Sequence, residues 1–122
     1  MYVWGSNKDG ELGLNDFIKK RLKPTLNPFF KNKKIIKLKC GWSHNLALVG
    51  KWFFIWFICL ENGEIYSWGY NEYGQLGHGD EENRNTPTLI SFFKGMHVMD
   101  VFVFYDQSFV LLSMYCIYFI LF

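Results

Sequence analysis

The chain contains the same segment twice, and an internal repeat constrains the fold more strongly than any local propensity does. Residues 2–13 match residues 66–77, with identity at Tyr, Trp, Gly, Asn, Gly, Leu and Gly, so that Trp4 corresponds to Trp68. The match resumes further along, where Pro-Thr-Leu and then Phe-Phe-Lys occur in both copies, 63 positions apart. Most of the 122 residues are therefore two copies of one structural unit.

Each copy predicts short strands separated by turns. Half of the residues are apolar and 20% are aromatic, which excludes intrinsic disorder and favours strands over helices. Apolar residues alternate over 64–68, and the glycines that follow are too closely spaced for regular structure. Asn-Gly at positions 62 and 63 predicts a hairpin that joins residues 45–49 to residues 64–68. We predict strands at residues 2–5, 34–39, 45–49, 66–69, 98–103 and 108–112.

One apolar segment interrupts that hairpin. Residues 51–60, which read KWFFIWFICL, have no counterpart in either copy, so we interpret residues 50–60 as an insertion. Codons for Gly-Lys at its start and Leu-Glu at its end can carry GT and AG, and removal of everything between them would leave one Glu and a continuous hairpin. A short intron translated into protein is one hypothesis. A genuine apolar loop and a segment that contacts a membrane are the alternatives.

The intron hypothesis makes a direct prediction about the messenger RNA. Spliced message would lack the codons for residues 51–60, and sequencing complementary DNA measures this. A spliced message that retains these codons would reject the hypothesis.

The repeat carries an ordered motif. One part reads Trp68-Gly69-x-Asn71-x-x-Gly74-Gln75-Leu76-Gly77-x-Gly79, and the other reads Cys40-Gly41-Trp42-Ser43-His44 followed by Leu-Ala-Leu. Together these resemble the repeats of the regulator of chromosome condensation (RCC1) family. The second copy departs from the pattern, because residues 103–107 read Val-Phe-Tyr-Asp-Gln where Cys-Gly-x-x-His is expected.

This resemblance implies a β-propeller, which in the full family fold has seven four-stranded antiparallel blades. We therefore expect an all-β, partial propeller of about two repeats. Residues 1–49 would form the first repeat, starting in mid-blade, residues 61–112 the second, and residues 113–122 an apolar tail. Because repeats bury their faces on neighbours, we expect a fragment of a larger propeller that neither folds stably alone nor catalyses nucleotide exchange.

The repeat-defining residues are expected to be structural. His44 could be a ligand or an acid-base residue, but a single histidine at a repeated turn is better interpreted as a hydrogen-bonded structural group. The loop after the second Tyr-x-Trp-Gly segment is the candidate partner contact, through Tyr70, Asn71, Glu72 and Tyr73. The structural positions are Trp4, Gly5, Gly10, Gly13, Gly41, His44, Trp68, Gly69, Gly74 and Gly77.

The sequence offers no catalytic, metal or cofactor site. It contains no His-Glu-x-x-His or Cys-x-x-Cys spacing, and residues 69–79 lack the Gly-Lys-Ser/Thr of a phosphate loop. The acidic run 80–82 is interpreted as solvated surface. A basic stretch could attract nucleic acid or chromatin, but we favour a charged strand edge that discourages aggregation. Its residues are Lys19, Lys20, Arg21, Lys23, Lys31, Lys33, Lys34, Lys37 and Lys39.

These observations favour a protein-protein interaction scaffold that is not an enzyme. The resemblance implies an alternative, a guanine-nucleotide exchange factor for a Ran-type small GTPase. A membrane-anchored fragment, which rests on the uncharged residues 107–122 alone, is a third reading. Three cysteines and a polar start without an apolar leader predict an intracellular protein, cytoplasmic or nuclear, that is not secreted.

Overall fold

The computed structural model describes residues 1–50 and 63–113. Within this part the chain forms strands joined by turns and two short 3-10 helices. All the predicted strands are present, with ends that differ by one or two residues. The strands are β1 (Tyr2–Ser6), β2 (Lys20–Leu26), β3 (Ile35–Cys40), β4 (His44–Val49), β5 (Glu64–Gly69), β6 (Arg84–Leu89), β7 (Val98–Phe104) and β8 (Gln107–Leu112), and the 3-10 helices are Pro28–Phe30 and Ser91–Phe93.

The strands form antiparallel sheets in the order β1-β2, β3-β4-β5-β6 and β7-β8. The middle sheet is a complete four-stranded blade. Its hairpin β4-β5 pairs Asn45 with Trp68 and Ala47 with Tyr66, which confirms the predicted hairpin. The expected all-β, partial propeller of antiparallel blades is therefore confirmed.

Two of these strands, β2 and β6, were not among the predicted strands. β2 and β6 carry Pro24 and Pro87, and β2 is rich in lysine. They are nevertheless strands, because within residues 1–50 and 63–113 each pairs on one side only, and an edge strand tolerates a residue that cannot donate to a ladder. The lysines of β2 thus lie on a sheet edge, as the preferred interpretation of the basic stretch expected.

The two copies fold alike. β3 pairs with β4 through Ile35 opposite Val49, and the register then shifts so that Lys37 lies opposite Leu48. β7 pairs with β8 in the same way, with the same shift between Val98 and Asp100. A shared bulge at equivalent positions confirms that the two copies have the same backbone arrangement.

β4 lies at the centre of the core, and all six of its residues are buried. Successive side chains of a strand point to opposite faces. On one face, Leu46 and Leu48 pack with Ile65 and with Val98 of the second copy.

The opposite face of β4 carries Ala47 and Val49. These two residues lie in a second cluster with Phe30, Tyr66 and Trp68. The complete blade is therefore sandwiched between structure from both copies.

Two of the sequence predictions fall outside the described residues. Residues 51–62 and 114–122 hold nearly all of the proposed insertion and tail. In the part of the chain that the structure describes, no helix has the length and apolar character needed to cross a membrane.

Candidate interaction surface

The glycine-rich turn after β5 is organised by Asn71. The Leu76 N–H donates to Asn71 Oδ1 at 2.9 Å, and Asn71 Nδ2 donates to the carbonyl oxygen of Asp80 at 2.8 Å. The side chain is fully buried as a result. Of the four residues predicted to contact a partner, Asn71 thus faces inward, because its amide is used inside the turn.

The first copy repeats this arrangement around Asn7. The Leu12 N–H donates to Asn7 Oδ1 at 3.0 Å, and Asn7 Nδ2 donates to the Ile18 carbonyl at 2.9 Å. The residue before the leucine also has a repeated role that sequence reasoning missed. Gln75 Oε1 accepts from the Tyr73 N–H at 3.0 Å, as Glu11 Oε2 accepts from the Asp9 N–H at 2.9 Å. The shared Gly-Gln/Glu-Leu-Gly spacing was the available signal.

Three side chains stand on this braced turn, and we call Tyr70, Glu72 and Tyr73 the tyrosine loop. Glu72 and Tyr73 are exposed, and Tyr70 is half-buried. The two tyrosine rings meet edge to face with centroids 5.9 Å apart, and Tyr73 is 73% exposed. Tyr70 Oη donates to Glu72 Oε2 at 2.7 Å, and this hydrogen bond raises the pKa of Tyr70. The loop therefore presents two aromatic rings and a carboxylate in a defined arrangement.

The acidic run behind this loop is largely solvated. Glu81 and Glu82 are exposed, as the sequence predicted. Asp80 is tied down, because its carboxylate accepts from Arg84 Nη2 at 2.7 Å, and this bond holds the pKa of Asp80 below its ordinary value.

His44 is a buried contact between the complete blade and β8. Its Nε2 lies 3.0 Å from Ser108 Oγ, and that hydroxyl donates to the Gln75 carbonyl at 2.7 Å. Because the hydroxyl hydrogen is used there, Ser108 accepts from His44, which cannot then act as a base towards it. Burial lowers the pKa of His44, so the neutral ring is favoured. The geometry is that of a structural contact.

The repeated tryptophans lie in different surroundings. Trp68 is 2% exposed, its Nε1 donates to the Glu11 carbonyl at 2.8 Å, and its ring lies 5.6 Å from that of Phe30. Trp4, its counterpart, is 61% exposed. One repeated residue therefore joins the two copies while the other lies on the surface.

The motif glycines of the two copies also differ in how close the neighbouring atoms lie. A Cβ at Gly10 would lie 2.6 Å from Asn85 Cα, and one at Gly13 would lie 3.0 Å from Trp68 Nε1. In the second copy, a Cβ at Gly74 would meet no atom within 4 Å. A Cβ at Gly77 would meet only the Ile90 side chain, at 3.9 Å.

Among the remaining motif glycines, Gly41 and Gly69 lie against neighbouring structure and Gly5 does not. A Cβ at Gly41 would lie 2.6 Å from Val103 Cγ1, whereas one at Gly5 would meet no atom within 4 Å. The first copy's turn is thus covered by the second copy, and the second copy's turn is open.

No metal-binding group stands near these positions. Within residues 1–50 and 63–113, no group of three or more His, Cys, Asp or Glu side chains is arranged to hold a metal ion. What this surface offers chemically is aromatic area, a carboxylate and backbone polar groups.

Comparison with known proteins agrees with this architecture. The human protein WBSCR16 has a similar structure, with a TM-score of 0.67 over 92% of this chain and 26% of that chain, at 21% identity, a likeness that shows the fold alone. The E3 ubiquitin-protein ligase HERC2 of Homo sapiens is 35% identical over 102 residues, which cover 83% of this chain and 2% of that protein.

Two further relatives share the repeat. Alsin of Rattus norvegicus is 38% identical over 80 residues, covering 66% of this chain and 4% of alsin. The X-linked retinitis pigmentosa GTPase regulator of Homo sapiens is 39% identical over 98 residues, covering 80% of this chain and 8% of that protein. The chain thus spans a small part of the length of these relatives.

The family model described as "Regulator of chromosome condensation (RCC1) repeat" matches residues 1–48 and 62–111. This match covers most of the sequence and both copies of the unit, so the chain belongs to the RCC1 repeat family.

Proposed function

We propose that the chain is a protein-binding scaffold, part of a larger propeller, whose contact surface is the tyrosine loop. The observation that carries the proposal is the exposure of Glu72 and Tyr73, with the half-buried Tyr70 beside them, on a turn braced by the buried Asn71. Aromatic side chains supply much of the binding energy in protein interfaces, and a rigid support lowers the entropy lost on binding.

The relatives support binding over catalysis. The same repeat occurs in a protein named as a ubiquitin ligase and in one named as a GTPase regulator. A module that two such different proteins share is better explained by recognition than by a common reaction. The buried His44 also fits this proposal, because its hydrogen bond to Ser108 supports the fold.

A second candidate function is nucleotide exchange on a Ran-type small GTPase. It is favoured by the 39% identity to a relative whose name includes "GTPase regulator". An exchange factor binds the nucleotide-free GTPase more tightly than the nucleotide-bound form, which shifts the GTPase towards releasing its nucleotide. This activity would belong to a longer propeller that contains these repeats.

The scaffold proposal predicts that Tyr73→Ala weakens partner binding by roughly 30-fold or more, because truncating an aromatic anchor costs about 2 kcal/mol or more. Quantitative mass spectrometry of proteins captured from cell extract, with affinity titration of those identified, measures this loss. Phe92→Ala is the matched control, since Phe92 is 70% exposed and outside the loop. Equal binding by wild type and Tyr73→Ala would contradict the proposal.

Nucleotide release distinguishes the two candidates. Labelled GDP bound to a Ran-type GTPase is followed with and without a longer propeller that contains these repeats, because exchange would belong to that longer propeller. Unchanged release in the presence of binding supports the scaffold, and accelerated release that is lost in Tyr73→Ala would favour exchange.

A further inference from the structure

One end of the complete blade is basic. Because its four strands are antiparallel, the loop that enters β3, the connection from β4 to β5 and the loop that leaves β6 all lie at this end. Within the described residues, these loops, 27–34 and 90–97, contain lysines and no acidic residue. We call their four lysines the lysine end: Lys31, Lys33, Lys34 and Lys94.

Contacts between the loops show that the lysines of both copies surround one hairpin end. The Gly50 N–H, directly after β4, donates to the Lys34 carbonyl at 3.1 Å. Gly63, directly before β5, lines the same cavity as Lys94. The first copy thus places its lysines beside the end of β4, and the second copy places one beside the start of β5.

Three of these lysines present free positive charges. Lys31, Lys34 and Lys94 are exposed, and their side chains make no hydrogen bond or ion pair with the residues that the structure describes. Lys33 differs, because it is half-buried and its Nζ donates to Tyr66 Oη at 3.1 Å. The lysine end therefore offers three ammonium groups to a negatively charged partner.

A charged strand edge does not explain these lysines. That explanation fits the lysines of β2, which lie on an edge that could otherwise pair with another chain. Lys31, Lys33 and Lys34 instead follow the 3-10 helix Pro28–Phe30 in a loop, where there is no strand to protect. This part of the basic stretch thus calls for a different role.

The opposite end of the strands is acidic. Its loops are residues 7–19, 41–43, 70–83 and 105–106, and the tyrosine loop belongs to them. They carry two lysines, Lys8 and Lys19, against eight acidic residues: Asp9, Glu11, Asp16, Glu72, Asp80, Glu81, Glu82 and Asp106. This separation of charge along the strands would orient the molecule in the field of a charged surface, with the lysine end towards negative charge.

We propose that the lysine end binds the surface of an anionic membrane. Clusters of lysines are attracted to the negative lipids of a bilayer surface. The acidic end then points away from the bilayer. The tyrosine loop lies at that acidic end, so it stays accessible to a protein partner while the membrane is bound.

The sequence between β4 and β5 favours a bilayer over a nucleic acid, which lysines would also attract. Residues 51–60 read KWFFIWFICL and join the chain at this end, between Gly50 and Gly63. Tryptophan and phenylalanine beside lysine are typical of segments at the interface between membrane and water. Arginine, the most frequent reader of DNA bases, is absent from loops 27–34 and 90–97. The proposed surface itself consists only of the described lysines.

The test measures vesicle binding by a longer propeller that contains these repeats and by two variants of equal charge. The first variant neutralises the lysine end by three changes: Lys31→Gln, Lys34→Gln and Lys94→Gln. The matched control removes three exposed lysines at the opposite end of the strands: Lys8→Gln, Lys19→Gln and Lys20→Gln. Co-sedimentation is measured with vesicles of phosphatidylcholine mixed with phosphatidylserine and with vesicles of phosphatidylcholine alone. Far-UV circular dichroism checks folding.

We expect the wild type to bind the mixed vesicles and not those of phosphatidylcholine alone. The lysine-end variant should bind roughly 100-fold more weakly, because each lysine near an anionic surface contributes about fivefold. The matched control should bind like the wild type. Tyr73→Ala should also bind vesicles normally, so a failure of this proposal is distinguishable from a failure of the tyrosine-loop proposal. High salt should release the bound protein, because it screens exposed charges.

Four results would each overturn the proposal. The wild type could fail to bind the mixed vesicles. The lysine-end variant could bind as tightly as the wild type, which would place the contact elsewhere. The two variants could be weakened equally, which would show an effect of net charge alone. The wild type could bind duplex DNA and not vesicles, and the partner would then be a nucleic acid. The wild-type measurements decide the question even if a variant does not fold.

Discussion

Replacing Gly69 with alanine is expected to disrupt the complete blade and to lower the free energy of unfolding by roughly 3–5 kcal/mol, the sum of backbone strain and overpacking. Gly69 has a φ of 108°, and an added Cβ would lie 2.4 Å from the Ser43 carbonyl oxygen and 2.9 Å from His44 Cα. Both are backbone atoms that no rotamer change can move away. Displacing Ser43 would also strain the hydrogen bond that its carbonyl accepts from the Tyr70 N–H at 2.9 Å.

Gly5 provides a control within the same chain. It is the equivalent residue of the first copy and has the same φ of 108°, but a Cβ there would meet no atom within 4 Å. Gly5→Ala therefore carries the backbone strain alone, about 1–2 kcal/mol. Urea unfolding followed by circular dichroism, at one fixed protein concentration, measures both losses. A wild-type chain without a cooperative transition would instead agree with the expectation that these repeats do not fold stably alone. Equal losses for the two variants would show that the contact with Ser43 is unimportant.

Trp68→Ala is expected to cost about 3–5 kcal/mol of folding free energy, as large-to-small changes of a buried tryptophan do. The indole is 2% exposed, packs on Phe30 and donates to the Glu11 carbonyl. Its loss leaves a cavity at the contact between the two copies. Trp68→Phe keeps most of the packing and removes the N–H donor, so its loss should be smaller.

Trp4→Ala is the matched control for Trp68→Ala. It replaces the same residue of the repeat, which is 61% exposed, and should change the unfolding free energy by less than about 0.5 kcal/mol where the chain is monomeric. The same urea titration, made at high dilution, compares the variants. A loss for Trp4→Ala as large as that for Trp68→Ala would contradict the difference in burial.

Much of the strand pattern could be predicted because it depends on neighbours in sequence. Alternating apolar residues identified β5, and Asn-Gly identified the hairpin that joins it to β4. β2 and β6 were missed because lysines and a proline outweigh the weak apolar alternation there. These strands exist because a sheet edge accepts such residues, and the position of an edge is a property of the assembled sheet.

The candidate surface was only partly predictable. Tyr70, Glu72 and Tyr73 were identified as loop residues, and they lie in the same braced turn. Asn71 was grouped with them because it is polar and stands among them. Its inward orientation depends on the carbonyl of Asp80, nine residues further along, and on the N–H of Leu76. The residue types in the loop do not by themselves predict such hydrogen bonds.

By itself, the sequence determined the repeat, the family and most of the strands, because repeat identity and strand periodicity depend on residues that are close together in the chain. It could not separate the two members of each repeated pair. Trp4 and Trp68 stand in matching motifs, and Gly5 and Gly69 have the same backbone conformation. Only the tertiary structure decided that Trp68 and Gly69 pack against neighbouring structure while Trp4 and Gly5 do not. This packing depends on which other strands lie beside each residue, because burial is set by contacts between residues that are distant in sequence.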